Sequence, residues 1–296
     1  MIIIRLSGGL GNQMFQYAFG KAIAQARGEK LHLETSFLDH NRTANSQFMP
    51  RDFELNLFQL SEIKRVPSLA LFGKSVSFHL FRWANKLGLI REVREKAEGA
   101  FDPEIHKIVG QNLAFGGYWQ SPLYFEGYAD LIRNEFRFKE PLSEPSQAIA
   151  QQIAATESVC LHVRRGDYGL ATNSQNLGLL SIEYYQKAIE SITQKVANPY
   201  FFLFSDDPQW VLQNLPLSHP YTLVDVNGGK NSWQDLALMT LCKHNIVANS
   251  SFSWWGVWLG INPDKQVICP NPWFRSSAMS DMIPAHWTKL DALWVG

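Results

Sequence analysis

The sequence predicts an α/β protein of two domains with a cleft between them. Three observations carry that expectation. Short apolar runs of strand character alternate with segments of helical periodicity. The alternation occurs in two series, with a segment rich in proline and serine between them. The residues with unusual chemistry fall just after strands, where open α/β sheets place their ligands.

Along the chain, Ile2–Leu6 reads as a buried strand. Phe15, Ala18, Phe19, Ala22, Ile23 and Ala26 then recur at helical spacing. Gly28 fits a helix C-cap, and Lys30–Leu33 reads as the next strand. Lys139–Gln147 carries Pro141, Pro145 and two serines and reads as a linker, which sets the domains at 1–145 and 146–296. The second series runs strand Ser158–Val163, helix Ile182–Val196, strand Tyr200–Phe204, short helix Gln209–Asn214, strand Tyr221–Val224, helix Trp233–Cys242 and strand Asn245–Ala248.

Composition narrows the function. The 296 residues are 46% hydrophobic and 18% charged, which suits packed cores and excludes a disordered chain. Lys+Arg and Asp+Glu both number 27, and the zero net charge argues against a general nucleic-acid binder. Cys160, Cys242 and Cys269 are far apart, with no CxxC pair, which suits a reducing compartment. The apolar run Met1–Ile4 is broken by Arg5, so no signal peptide is read. No run approaches the ~18 apolar residues of a membrane span, and the expected location is the cytoplasm. The stretch from Lys74 to Lys96 mixes Lys74, Arg82, Lys86, Arg91, Arg94 and Lys96 with Phe78, Leu80, Phe81, Trp83 and Leu87. It reads either as a solvated helix face or as a helix lying on the inner membrane surface.

Three motifs follow strands. Gly8-Gly9-Leu10-Gly11-Asn12-Gln13 is either a tight turn that needs glycine angles or a backbone cradle for an anion, with Asn12 and Gln13 aimed at it. Cys160–Tyr168 (CLHVRRGDY) stops a strand at two adjacent arginines, whose guanidinium forks suit a phosphate. The alternative is a salt bridge to Asp167 or another acid. Asn249–Leu259 (NSSFSWWGVWL) opens a helix near Phe252, and Asn249, Ser250 and Ser251 either cap it or bind phosphate with its amides. Trp254 and Trp258 share a helix face and read as core. Asp235 sits on a helix, and Asp206 and Asp207 either cap the next one, the reading that Pro208 favours, or bind a ligand. There is no GxGxxG fingerprint, no GxxxxGK[ST] loop and no GxSxG elbow. His162 has no metal-ligand neighbour at suitable spacing, and no DxD pair presents itself. What remains is the pattern of a sugar-nucleotide glycosyltransferase.

GGLGNQMFQY, HVRRGDY and the segment from Asp235 to NSSFSWW together resemble the α-1,2-fucosyltransferases of glycosyltransferase family 11. The motifs occur in the same order, over essentially the whole chain. The resemblance implies a GT-B architecture, two facing Rossmann-like domains with the active site in the cleft between them. It implies GDP-L-fucose as donor, a galactoside such as lactose as acceptor, and inverting transfer to the 2-hydroxyl of a terminal β-galactose. It implies no cofactor and no required metal. By the same resemblance Arg164 binds the donor diphosphate and His162 lies near the nucleotide. Asp235 reads guanine, while Ser250 and Ser251, beside Phe252, take the diphosphate. Gly11 and Asn12 approach the donor from the other domain.

Some related protein O-fucosyltransferases place a glutamate base two or three positions before that asparagine. Gly9 and Leu10 stand there in this chain. Asp167, which follows the two arginines by two or three residues, is the candidate base, the alternative being that it orients Arg164 or Arg165, with His162 as a third choice. Two other functions stay open: transfer of fucose to protein, and a non-catalytic sugar- or nucleotide-binding role on the same fold.

Overall fold

Three successive isoleucines are all buried only in a strand covered on both faces, and the chain builds such a strand first. A computed structural model describes residues 1–40, 51–61, 64–65, 86–166, 177–276 and 281–295. The chain divides into two compact units, Met1–Lys139 and Glu140–Gly296.

In the first unit β1 (Ile2–Arg5) leads into α1 (Leu10–Arg27). The helix ends at Gly28, which takes left-handed angles and returns its N–H to the Ala24 and Gln25 carbonyls. Then come β2 (Leu31–Glu34), α2 (Ser36–His40), β3 (Lys64–Arg65), β4 (Arg91–Arg94), β5 (Leu113–Gly116) and α3 (Ala129–Glu135). The five strands form one parallel sheet in the order β3-β2-β1-β5-β4. The sequence offers Arg91–Arg94 as part of a basic helix, and the structure makes it an edge strand instead. Arg91 and Arg94 stay exposed, while Glu92 and Val93 are half-buried and pair with β5. Charged side chains on an edge strand discourage further pairing. The rest of that stretch, from Lys74 to residue 85, lies outside the described residues.

The second unit begins with α4 (Glu144–Ala155), so the predicted linker is half helix. Pro145 lies in its first turn, where no intrahelical N–H bond is lost. There follow β6 (Glu157–Val163), α5 (Ile182–Thr193), β7 (Pro199–Ser205), α6 (Pro208–Asn214), β8 (Tyr221–Val224), α7 (Trp233–Leu241), β9 (His244–Ile246), α8 (Ser251–Leu259), β10 (Val267–Asn271) and β11 (Thr288–Asp291). All six strands are parallel, in the order β11-β10-β9-β6-β7-β8. Val159, Leu161, Tyr184, Ile192 and Phe201 fill one face of this sheet, and Cys160, Phe202, Leu238 and Met239 fill the other. Trp254 and Trp255 are buried, and Trp254 stacks on Trp258 at 6.0 Å, as a shared core face requires. Both sheets therefore present loops at the carboxyl ends of adjacent parallel strands. Among the described residues no helix is long and apolar enough to cross a membrane.

Candidate active site

In the first unit the loops after β1, β5 and β4 lie side by side, because those strands are neighbours. Gly8 adopts φ +75°, and a side chain there would meet the amide nitrogen of Asn12. The tight-turn reading thus holds at Gly8, whereas Gly9 at φ −77° and the helical Gly11 take angles open to any residue. Gln13 does not aim outward. It is 0% exposed and staples the turn, with Nε2 donating to the carbonyls of Gly8 (3.0 Å) and Asp52 (2.8 Å). Its Oε1 accepts from the Glu54 N–H. Gln16 does the same one turn later: its Oε1 accepts from Ser7 N–H, and its Nε2 donates to the Gly117 carbonyl. Gly11 is buried in the first turn of α1.

Asn12 is only half-buried, and its Oδ1 accepts from Gln120 Nε2 at 2.9 Å. With the oxygen held, the amide orientation is fixed. Gln120 is held in turn by an unusual backbone. Trp119 has φ +55°, and Glu95 accepts from the Tyr118 and Trp119 N–H groups at 2.7 and 3.0 Å. Burial pushes the Glu95 carboxyl up to about 7, against the backbone N–H groups of Tyr118, Trp119 and Gln120 that pull it down. Neither Glu95 nor Gln120 is marked in the sequence, since a buried glutamine after an aromatic has no periodic signature.

In the second unit β9, β6 and β7 are adjacent, so Asn249–Ser251, Arg164 and Asp206 stand at three neighbouring strand ends. Arg164 Nη1 lies 3.0 Å from Asp206 Oδ2, and Asp206 Oδ1 accepts from the Arg165 N–H at 2.9 Å. One carboxylate thereby shapes the whole turn. A side chain on Gly166 would collide with that carboxylate, so the glycine is required by close approach. Arg165 stacks its guanidinium 3.5 Å over the Trp210 ring, a cation–π contact that keeps it away from Asp206. Of the two acids expected as caps, Asp207 is one, accepting from Trp210 N–H, while Asp206 is not. Asp167 lies outside the described residues.

His162 is buried, and among the described residues its Nδ1 has no hydrogen-bond partner. Burial, aided by the Arg164 charge, pushes its pKa down to about 3, so the ring is neutral. Phe252 of α8 sits 6.3 Å away, which brings the start of that helix beside the end of β6. The helix begins at Ser251, with Ser250 as its N-cap residue, so its first amides point toward the Arg164 end of the sheet. The Ser250 side chain makes no capping hydrogen bond. Asn249 turns its Nδ2 inward, donating to the carbonyls of Leu177 and Gly178.

Asp235 lies in the first turn of α7, which follows β8 on the same edge of the sheet. Its Oδ1 accepts from Asn227 Nδ2 at 2.9 Å. Burial raises its pKa to about 7, and the Asn227 bond opposes that rise. The second unit thus gathers an arginine fork, a helix N-terminus and a half-buried acid, the elements that a nucleoside diphosphate needs.

Comparison with known proteins identifies the family. An alpha-1,2-colitosyltransferase of Escherichia coli is 30% identical over 297 residues, covering 98% of this chain and 99% of its own length. The O-antigen biosynthesis glycosyltransferase WbnK of Escherichia coli is also 30% identical, covering 96% of this chain and 99% of its own. A galactoside 2-alpha-L-fucosyltransferase, Sec1 of Mus musculus, is 25% identical over 88% of this chain and 64% of its own length. The model of glycosyl transferase family 11 matches residues 101–291, which include Arg164, Asp235 and the α8 serines. With that match over most of its length, the chain belongs to glycosyltransferase family 11.

Proposed function

We propose that the protein transfers L-fucose from GDP-L-fucose to the 2-hydroxyl of a terminal β-galactoside, with inversion. The observation that carries this reading is the Arg164 fork at the end of β6, beside the N-terminus of α8 at the end of β9. As the glycosidic bond breaks, the β-phosphate of GDP gains charge. Arg164 and the amides of Ser251 and Phe252 stabilise that charge, which elsewhere is a metal's task. Asp235 takes the N1–H and 2-amino donors of guanine, and the neutral His162 lies under the nucleotide. Asn12 contacts the donor, and Asp167 accepts the proton of the attacking hydroxyl.

One relative matched over nearly its whole length, the alpha-1,2-colitosyltransferase, favours a second donor. Colitose is the 3-deoxy counterpart of L-fucose, so one diphosphate site serves both donors, and the choice rests on what meets the sugar's 3-position. The deciding experiment offers GDP-fucose and GDP-colitose with a panel of galactosides, follows GDP release with and without EDTA, and determines the product linkage. An α-1,2-fucosyl product formed in EDTA supports the reading. Preference for GDP-colitose replaces the donor, and release that needs magnesium or manganese removes the metal-free mechanism.

A further inference from the structure

Asp235 does not stand alone. Ser146 is buried in the first turn of α4, and its hydroxyl donates to Asn227 Oδ1 at 2.9 Å. Asn227, in the loop after β8, is only 6% exposed. Because its oxygen already receives the serine proton, its NH₂ must face the other way, toward Asp235 Oδ1. The flipped amide would set its oxygen against a carboxylate. The neighbouring residue repeats the fastening: Gln234 Oε1 accepts from the Ser143 N–H at 2.7 Å. Two consecutive residues of α7 are thus tied, directly or through Asn227, to the first turn of α4 and the residue before it. Among the described residues no hydrogen bond reaches Asp235 Oδ2.

We infer that Asn227, set by Ser146, is a positioning residue for nucleobase choice, holding Asp235 as an ionised, correctly turned acceptor for guanine. This rests on the reading of Asp235 given above. Guanine offers two adjacent donors, N1–H and the 2-amino group, and a carboxylate meets both. Oδ1 has a lone pair left beside the Asn227 bond, and Oδ2 supplies the second acceptor. Adenine presents an acceptor at N1 and leaves one carboxylate oxygen opposed. A protonated Asp235 loses the same discrimination, because it then carries a donor of its own. The buried thiol of Cys160 on β6 also feels Asp235, and burial keeps that thiol neutral. Burial alone therefore drives Asp235 toward the neutral form, and Asn227 is the group that opposes it.

The test is GDP and ADP binding by calorimetry on the full chain from pH 5.5 to 9. In the parent, GDP affinity falls tenfold per pH unit below about 7, the pKa of Asp235, and ADP binding does not follow. Asn227→Ala weakens GDP on the order of tenfold, as loss of a hydrogen bond to a charged group does. It also narrows the GDP/ADP ratio and moves the midpoint to higher pH. Ser146→Ala moves the midpoint the same way by less, and it serves if Asn227→Ala fails to fold. Equal loss for GDP and ADP with an unmoved midpoint overturns the inference, since that is a packing defect. Asp235→Ala separates the two levels. If it leaves GDP affinity and preference intact, the reading of Asp235 fails. If it abolishes the preference while Asn227→Ala and Ser146→Ala change nothing, only the role of Asn227 fails.

Discussion

Replacing Arg164 with lysine keeps the charge and removes the fork. Nη1 already lies 3.0 Å from Asp206 Oδ2. A guanidinium keeps further donors in the same plane for a diphosphate, whereas an ammonium is one point charge at the end of a flexible stem. Lysine at 164 must therefore choose between Asp206 and the phosphate. If the loss matches removal of one oxyanion donor, the transition state loses ~2–4 kcal/mol, a factor of roughly 30 to 1000 in rate. The fold changes little. The two partners are 23% and 24% exposed, and a pair that reaches solvent contributes about 0–1 kcal/mol, or about 2–4 °C in Tm at most. The assay is GDP release at saturating and sub-saturating donor, with a thermal melt as control. The expected result is a fall in kcat with a small change in Tm. If Arg164→Lys stays within about threefold of the parent, a margin worth only ~0.6 kcal/mol, the diphosphate is not held by this fork.

Three further outcomes follow from the same geometry. Asp167→Asn binds GDP-fucose normally and loses ~10²–10⁴-fold in turnover if Asp167 is the base; weakened GDP binding in calorimetry assigns it an orienting role, and near-normal turnover removes it from the proton path. Gly8→Ala forces a left-handed φ on a residue with a Cβ and pushes it into Asn12, so chemical denaturation reads a loss of roughly 1–2 kcal/mol, and an unchanged midpoint refutes the strain. His162 has a folded pKa of about 3, below its unfolded value, so its contribution is full above ~6.5 and is lost as pH falls toward 3, by up to ~1.4 kcal/mol per unit. His162→Gln flattens that acid slope, and an identical slope in the two proteins contradicts the burial argument.

How much of this was legible in the sequence depends on the range of the interaction. The Ile2–Ile4 run, the spacing of Phe15 and Phe19 and the Gly28 cap are local signals, and the elements lie within a few residues of where those signals put them. β10 carries Pro270, which speaks against a strand. Yet β9 pairs no further than Ile268, so at Pro270 the strand has a neighbour on one side only and loses no bond on the other. The two glutamines show the limit most clearly. Gln13, next to Asn12 in sequence, serves only the backbone, while Gln120, 108 residues away, grips Asn12. Residue type is the same in both, and only tertiary placement separates them. Asp206 lies between these cases. Capping is a local assignment, and it fits Asp207. The register of β6 on β7 sets Val163 opposite Ser205, so the next residues, Arg164 and Asp206, emerge side by side at the sheet edge. Two strands recognised from their apolar runs, once paired in parallel with that register, dictate an arginine–carboxylate contact across 42 positions of sequence. The acid that fixes the Arg164 fork is therefore found by pairing strands, where motif spacing assigns it to the helix it precedes.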